Sequence, residues 1–205
     1  MTKNILKKTV FFDLGNVIIF FCHKRMCRQI ADKSGLSPDK IEESLLNSPL
    51  GDLYERGSIS CDDLHRHFCE HFSTSIPKEE FFFAMSDIFT LNEPMIPIIE
   101  KLKANGVELI LLSNTCPAHF EYARKSYPIL SVFDSYILSY EVGARKPEKK
   151  IFEHAIANSS SEIKNCFYTD DIQQYVESAR CLGIDAHTFI NTSQLTEALQ
   201  SRGFL

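Results

Sequence analysis

Short apolar runs of strand length alternate with amphipathic helical segments along most of the chain. The first run, residues 10–12, ends at a single carboxylate, Asp13, and a second run, residues 17–21, follows after Gly15. A continuous apolar run of this length, bounded by turn residues, is typical of a strand buried in a parallel sheet. The first run therefore predicts a buried strand with Asp13 at its carboxyl end.

Residues 22–89 show a helical pattern without a strand signal. Helices are predicted over four segments: 24–31, 39–46, 60–71 and 77–89. Residues 47–51 predict a break between helices, and residues 53–57 lead into a turn. Ser60, with Asp63 three positions later, resembles a capping box at the start of a helix. The segment is therefore predicted to be an all-helical insertion after the first strand.

From Asn92 onward, strands and helices alternate. Strands are predicted over 107–112, 136–139, 166–169 and 186–190, and helices over 94–104, 117–126, 148–158, 172–182 and 193–202. Such alternation implies βαβ units, a parallel sheet and right-handed crossovers. The predicted fold class is α/β, with a core formed by 1–21 and 90–205 and a helical domain formed by 22–89.

Composition restricts the possible function classes. The 205 residues carry a net charge of −5, which does not favour nucleic-acid binding because such proteins usually present a basic surface. Asp13 and Asn16 interrupt the most apolar stretch, so neither a membrane span nor a signal-peptide core is predicted. The seven cysteines form no C-x-x-C pair and are expected to be reduced thiols in a cytoplasmic protein.

Cys61, His65 and Cys69 recur every four residues and would share one helix face. Structural zinc sites usually need four ligands, commonly from two separate pairs. We interpret the cluster as one side of an amphipathic helix rather than as a zinc site.

Polar groups follow several of the predicted strands. They are Asp13, Ser113–Asn114, Arg145–Lys146–Pro147 and Asp170–Asp171. Each group alone could begin a helix, cap one or remain a solvated loop charge. In a parallel sheet, however, they all lie at one edge, where α/β proteins bind ligands. Their joint occurrence indicates a functional site.

The chemistry of this set fits a phosphorylated ligand. Three carboxylates make a hard-oxygen site suited to Mg²⁺, while a hydroxyl, a helix-start amide and a lysine can hold phosphate. A carboxylate such as Asp13 can also attack phosphorus in line and form an aspartyl-phosphate.

In order and spacing, four motifs resemble those of the haloacid dehalogenase-like (HAD) hydrolase superfamily. They are Asp13-Leu-Gly-Asn-Val17, Leu111-Leu-Ser-Asn114, Arg145-Lys-Pro147 and Tyr168-Thr-Asp-Asp171. The resemblance implies a Rossmann-like core with a C1-type cap at 22–89, and a Mg²⁺-dependent phosphatase. The first motif, with Glu55-Arg-Gly57 in the cap, is most similar to bacterial sugar-phosphate phosphatases active on glucose 1-phosphate.

The resemblance also implies site roles. Asp13 would be the nucleophile and a metal ligand, the Gly15 carbonyl and Asp171 further ligands, and Asp170 an assisting one. Ser113, the Asn114 amide and Lys146 would hold phosphate. A small phosphorylated substrate is expected as partner, with neither nucleic acid nor membrane, and the chain is expected to be a monomer or small homo-oligomer.

Two positions depart from the family pattern. Most phosphatases of the superfamily carry an acid–base Asp two residues after the nucleophile, where this chain has Gly15. Tyr175 stands where the family usually has Asp or Asn, which makes the metal side less polar.

The alternatives follow from these departures. A catalytically degenerate relative would bind a phosphorylated ligand or a protein partner. Haloacid dehalogenation needs no metal and is disfavoured by the acidic pair Asp170–Asp171, and a response-regulator receiver would have another motif order. Within the phosphatase interpretation, the cap loop near Tyr54 and Arg56 is predicted to bind and select the substrate, because a closing cap supplies contacts that the core lacks.

Overall fold

A five-stranded parallel sheet forms the centre of the computed structural model, which describes residues 7–205, so residues 1–6 of the predicted core segment lie outside the described residues. Its strand order is β5-β4-β1-β6-β7. The bounds are β1 Thr9–Phe12, β4 Glu108–Ser113, β5 Ser135–Leu138, β6 Cys166–Asp170 and β7 Asp185–Thr188. Together with the flanking helices, this sheet confirms the predicted α/β fold.

Strand β1 is central because every one of its side chains is buried and it has a parallel partner on both sides. Phe12 lies beside Leu111 of β4 and Thr169 of β6. This register brings the carboxyl ends of the three strands side by side. The polar residues that follow Phe12 and Thr169, and those at the end of β4, therefore meet at one edge.

Helices cover both faces of the sheet. They are α6 Ile96–Ala104, α7 Pro117–Ser126, α8 Ser139–Val142, α9 Lys149–Asn158, α10 Gln173–Cys181 and α11 Thr192–Ser201. One apolar layer contains Phe12, Leu109 and Leu111, and the opposite layer contains Phe11, Ile110 and Leu112. Alternation along β1 and β4 thus supplies both layers, as expected for a sheet covered on two sides.

Five helices lie between residues 21 and 89 of the chain. They are α1 His23–Ser34, α2 Pro38–Leu45, α3 Pro49–Glu55, α4 Cys61–Phe72 and α5 Lys78–Ser86. They bury a separate apolar cluster that includes Ile30, Phe68 and Phe81. The capping box predicted at Ser60 and Asp63 is confirmed. We refer to residues 23–86 as the cap, whose independence as a domain stays a prediction.

The structure corrects the predicted turn between the second and fourth cap helices. Residues 47–57 are not simply a break and a turn, because α3 occupies Pro49–Glu55. Its start is defined by Pro49 at the first helical position and by the Ser48 hydroxyl, which accepts a hydrogen bond from the Leu50 amide. The proline was a signal for a helix start that the sequence interpretation took as a break.

A second correction concerns the end of the cap. The helix predicted over 77–89 ends at Ser86, and β3 (Phe89–Leu91) pairs antiparallel with β2 (Ile19–Phe21). The insertion therefore returns to the core through a two-stranded ribbon that crosses the predicted boundary at residue 89. The apolar run that ends at Phe21 contributes to this ribbon and not to the parallel sheet.

Among the described residues, no helix combines the length and the apolar character needed to cross a membrane.

Candidate active site

Asp13 follows the central strand β1 and is almost completely buried. Its Oδ1 accepts a hydrogen bond of 2.6 Å from Lys146 Nζ, which also donates to Asp170 Oδ2 at 2.6 Å and to the Leu112 carbonyl at 3.0 Å. One ammonium group thus joins the ends of three neighbouring strands. Among the described residues, no donor contacts the second Asp13 oxygen, which leaves it available to attack an electrophile.

The charges in this buried cluster shift its protonation. Burial raises the pKa of Asp13 to about 7, with the Lys146 charge lowering it and the Asp170 charge adding to the rise. Burial alone would lower the pKa of Lys146, but Asp13 and Asp170 outweigh that effect and raise it. Lys146 is therefore a fixed cation, and Asp13 is a carboxylate whose ionised form depends on nearby positive charge.

Ligand atoms of Asp13, Asp170 and Asp171 all lie within 4.8 Å of one another. Three carboxylates against the single ammonium of Lys146 leave an excess of negative charge that a divalent cation would neutralise. Burial also raises the pKa of Asp171, which is the response expected of a carboxylate lacking an adequate counter-charge. The donor set fits a hard cation such as Mg²⁺.

The two acidic residues of the fourth motif differ in their surroundings. Asp170 is fully buried and accepts hydrogen bonds from Lys146, the Tyr168 hydroxyl and the Ile172 amide. Asp171 is only half-buried and accepts one from Asn16 Nδ2 at 3.0 Å. Asp170 therefore anchors the lysine, while Asp171 keeps more free lone pairs for a metal.

Asn16 is a site residue that the sequence interpretation did not include. It adopts a positive φ of 55°, a region in which asparagine is enriched among non-glycine residues. That conformation closes the turn between β1 and β2 and directs its amide to Asp171. Its place in the first motif was the available signal.

The phosphate side of the site follows β4. Ser113 is buried, and its hydroxyl donates only a long hydrogen bond of 3.4 Å to the Asn114 carbonyl. The Asn114 side chain forms two hydrogen bonds with the backbone of Lys146, so it positions the loop that carries this lysine. The Ser113 hydroxyl therefore has capacity for another acceptor, whereas the Asn114 side chain is already engaged.

Gly15 lies beside the ring of Phe21. A Cβ atom added to Gly15 would approach Phe21 Cε1 to 2.8 Å, closer than real Cβ atoms come. Phe21 therefore fills the space that a side chain at residue 15 would need. A side chain at residue 15, where the family usually has an aspartate, would therefore require the partly exposed Phe21 ring to move.

Tyr175 packs against the lysine loop. Its ring centroid is 5.3 Å from Lys146 Nζ, and its hydroxyl is 3.5 Å from Asn114 Nδ2. Burial raises the pKa of the phenol, which stays neutral at physiological pH. Tyr175 thus supports Lys146 through a cation–π contact.

Ion pairs join the cap to the core next to Lys146. Arg145 pairs with Asp52 at 2.6 Å and with Glu55 at 2.8 Å, and Arg56 pairs with Glu148 at 2.6 Å. We call these five residues the seam. Arg56 also pairs with Asp52, so its guanidinium is engaged within the seam. Its predicted contact with substrate stays a prediction.

His65 and Cys69, which the sequence analysis assigned to one face of an amphipathic helix, contact each other and the cap backbone. His65 Nε2 lies 2.8 Å from the Ile76 carbonyl, and Cys69 Sγ lies 3.5 Å from the same nitrogen. His65 thus has a backbone partner within the cap.

The sequence pattern of the haloacid dehalogenase-like hydrolases matches residues 7–183. A sesquiterpene phosphatase of Aspergillus oryzae is 23% identical over 180 residues, which cover 86% of this chain and 87% of that protein. A pyrimidine 5′-nucleotidase of Escherichia coli is 24% identical over a match that covers 74% of this chain and 71% of the nucleotidase.

Solved structures show the same fold. A HAD family enzyme from Bacteroides thetaiotaomicron, in complex with magnesium and inorganic phosphate, superposes with a TM-score of 0.82. It is 23% identical, and the match covers 92% of this chain and 98% of that one. A predicted HAD-like hydrolase from Porphyromonas gingivalis has a TM-score of 0.81, with coverage of 96% and 97%.

Proposed function

Since the chain belongs to the haloacid dehalogenase-like hydrolase family, we propose that it is a Mg²⁺-dependent phosphatase acting through an aspartyl-phosphate on Asp13. The observation that carries this proposal is the joint position of the carboxylates of Asp13, Asp170 and Asp171 around Lys146. Phosphoryl transfer needs a positioned nucleophile and neutralisation of the phosphoryl charge, and this arrangement offers both.

Each residue has a defined task in this proposal. The free Asp13 oxygen attacks phosphorus while Lys146 holds the other oxygen and offers positive charge to the phosphoryl group. The Ser113 hydroxyl and the Asn114 backbone amide bind phosphate oxygens. Asp13, Asp171 and the Gly15 carbonyl would hold Mg²⁺, with Asp170 assisting from the lysine side. When bound, the cation neutralises phosphoryl charge and favours the ionised form of Asp13.

We further propose a small phosphorylated metabolite, a sugar phosphate, as the substrate. A cavity of about 30 Å³ lies between cap and core and is lined by Glu55, His23 and His119 among apolar neighbours. Of these, the His23 ring has no hydrogen-bond partner among the described residues, which suits a hydroxyl-bearing leaving group. A volume close to that of one water molecule means that the cap must move before a sugar can enter.

A second candidate function is suggested by Gly15. Without an acid–base side chain there, the protein could bind a phosphorylated ligand or a protein partner without turnover. General acid–base catalysis contributes about 10²–10⁴-fold to rate, so its loss would weaken but not abolish hydrolysis. The intact cluster of Asp13, Lys146 and Asp171 favours the enzyme.

Phosphate release from p-nitrophenyl phosphate, hexose 1-phosphates and hexose 6-phosphates tests the proposal. Turnover should require Mg²⁺ and disappear in Asp13→Asn. Asp39→Asn removes the same charge from an exposed position at the start of α2 and should retain activity. Absence of turnover on every substrate, with a folded protein that still binds phosphate, would favour the binding function.

A further inference from the structure

Gly15 leaves the proposed reaction without an obvious proton donor. An alkoxide leaving group is a poor one unless its oxygen is protonated as the P–O bond breaks. The Phe21 ring occupies the place where the family's aspartate would project. The donor must therefore come from another part of the structure.

His23 packs against that ring. It is the first residue of α1, and its imidazole centroid is 4.9 Å from the Phe21 centroid, with the ring planes at 45°. The Phe21 ring thus contacts both the space beside Gly15 and the His23 imidazole. His23 is exposed, so its ring has room to turn toward a ligand.

His23 also faces the cavity between cap and core. Two other lining residues tie this cavity to the site: Cys116 comes two residues after Asn114, and Glu55 pairs with Arg145 next to Lys146. The cavity therefore borders the segments that carry Asn114 and Lys146, and His23 is the cavity residue that also contacts Phe21.

The other titratable groups of the cavity suit proton exchange less well. His119 Nε2 contacts the Met85 carbonyl at 3.1 Å, and burial raises the pKa values of Tyr54 and Cys116 far above neutrality. Burial also raises the pKa of Glu55, but the guanidinium of Arg145, its ion-pair partner, opposes that rise and holds the carboxylate. Among the described residues, no hydrogen bond or ion pair engages the His23 ring. It is the imidazole of the cavity that has no such partner.

We infer that His23 is the general acid that protonates the leaving-group oxygen in place of the missing side chain at residue 15. This inference rests on the proposed phosphatase function. Asp13 attacks phosphorus, the bond from phosphorus to the ester oxygen breaks, and that oxygen takes the proton of the His23 imidazolium. Neutral His23 then accepts a proton from water as the water oxygen attacks the aspartyl-phosphate. The bond between phosphorus and Asp13 breaks, releasing inorganic phosphate and the carboxylate.

The surroundings of His23 suit this exchange. Although one side of the residue is exposed, partial desolvation of the rest lowers its pKa below the usual value, and the charge of Glu42 on α2 opposes that shift. Glu55 on α3 and His119 on α7 face the same cavity. A bound phosphate dianion would raise the pKa again, which brings it closer to the working pH.

The dependence of rate on the leaving group tests the inference. In His23→Asn, kcat/KM for a hexose 6-phosphate should fall by about 10²–10⁴-fold. The parameter kcat/KM reports the steps up to the departure of the leaving group. For p-nitrophenyl phosphate it should change little, because p-nitrophenolate leaves without being protonated. His67→Asn, at an exposed position on α4, is the matched control and should behave as the wild type on both substrates.

A rescue variant separates proton transfer from structural damage. Adding Gly15→Asp together with Phe21→Ala to His23→Asn creates room for a carboxylate beside Asp13 and should restore hexose phosphate turnover. Equal losses on both substrates, or no loss on the hexose phosphate, would overturn the role of His23. Absence of Mg²⁺-dependent p-nitrophenyl phosphate turnover in the wild type would instead overturn the phosphatase function itself.

Discussion

The Asn114 side chain and the Lys146 backbone form a reciprocal pair of hydrogen bonds. Asn114 Nδ2 donates to the Lys146 carbonyl at 3.0 Å, and the Lys146 amide donates to Asn114 Oδ1 at 2.8 Å. The pair joins the end of β4 to the loop that carries the lysine. It fixes the backbone from which Lys146 reaches Asp13 and Asp170.

Asn114→Ala should therefore reduce activity by misplacing Lys146. Both bonds are lost, and each unsatisfied buried group costs about 1–3 kcal/mol. We expect a lower melting temperature and a fall in kcat/KM of at least tenfold, on every substrate alike. Asn114→Asp keeps the acceptor for the Lys146 amide and should lose less stability than the alanine variant. Wild-type kinetics in Asn114→Ala would contradict this positioning role.

Lys146→Met should destabilise the protein and make it depend on divalent cations. It leaves Asp13 and Asp170 without their counter-charge, and breaking a buried ion pair in this way costs about 3–5 kcal/mol. Mg²⁺ should raise the melting temperature more in the variant than in the wild type, because the cation replaces the missing charge. Lys33→Met, which breaks a partly exposed pair with Glu80, is the control. Equal Mg²⁺ responses would count against the shared site.

His119 should make stability fall in acid. Burial lowers its pKa from 6.5 to about 4, with the nearby His23 charge acting in the same direction. The unfolded chain thus binds more protons between these values, so this contribution is complete above pH 6.5 and is lost as pH falls toward 4. The unfolding free energy of the wild type should drop relative to His119→Gln over this window, by up to roughly 3 kcal/mol. Urea denaturation from pH 7 to 4 measures this difference. The same change of unfolding free energy with pH in the wild type and in His119→Gln would refute the contribution of His119.

Arg56→Ala should change substrate preference more than metal dependence. Arg56 joins α3 of the cap to Glu148 of the core, so its loss alters how the cap closes over a substrate. Relative kcat/KM values among hexose phosphates should change, while the Mg²⁺ concentration at half-maximal rate stays the same. Arg66→Ala breaks an ion pair within α4 and should leave the preferences intact. Equal losses on all substrates would count against selection by the seam.

Much of the site could be predicted because parallel strands end at a common edge. Asp13, Asn114 and Asp170 were identified as residues that follow apolar runs, and the sheet register brings those ends together. Lys146 was placed in the same set as part of the loop that follows a predicted strand, and the structure has it in a loop after β5 and α8. The fold class followed from the alternation of helix and strand, and it is confirmed.

The secondary structure of the cap and its borders was harder to predict from sequence patterns. Helix α3 is short and begins at a proline that also suits a turn, so local propensity did not separate the two. Strand β3 has only three residues and owes its form to hydrogen bonds with β2, about seventy positions earlier in the chain. No local pattern contains that pairing.

The sequence by itself determined the α/β fold, the family and the residue types at the sheet edge, because these depend on local periodicity and on motifs of adjacent residues. Only the tertiary structure decided that Phe21 occupies the space beside Gly15, that His23 packs against Phe21 and that Arg56 is engaged in the seam. These relationships depend on where separate elements meet in space. Such packing is set by the whole core and cannot be inferred from neighbours in the chain.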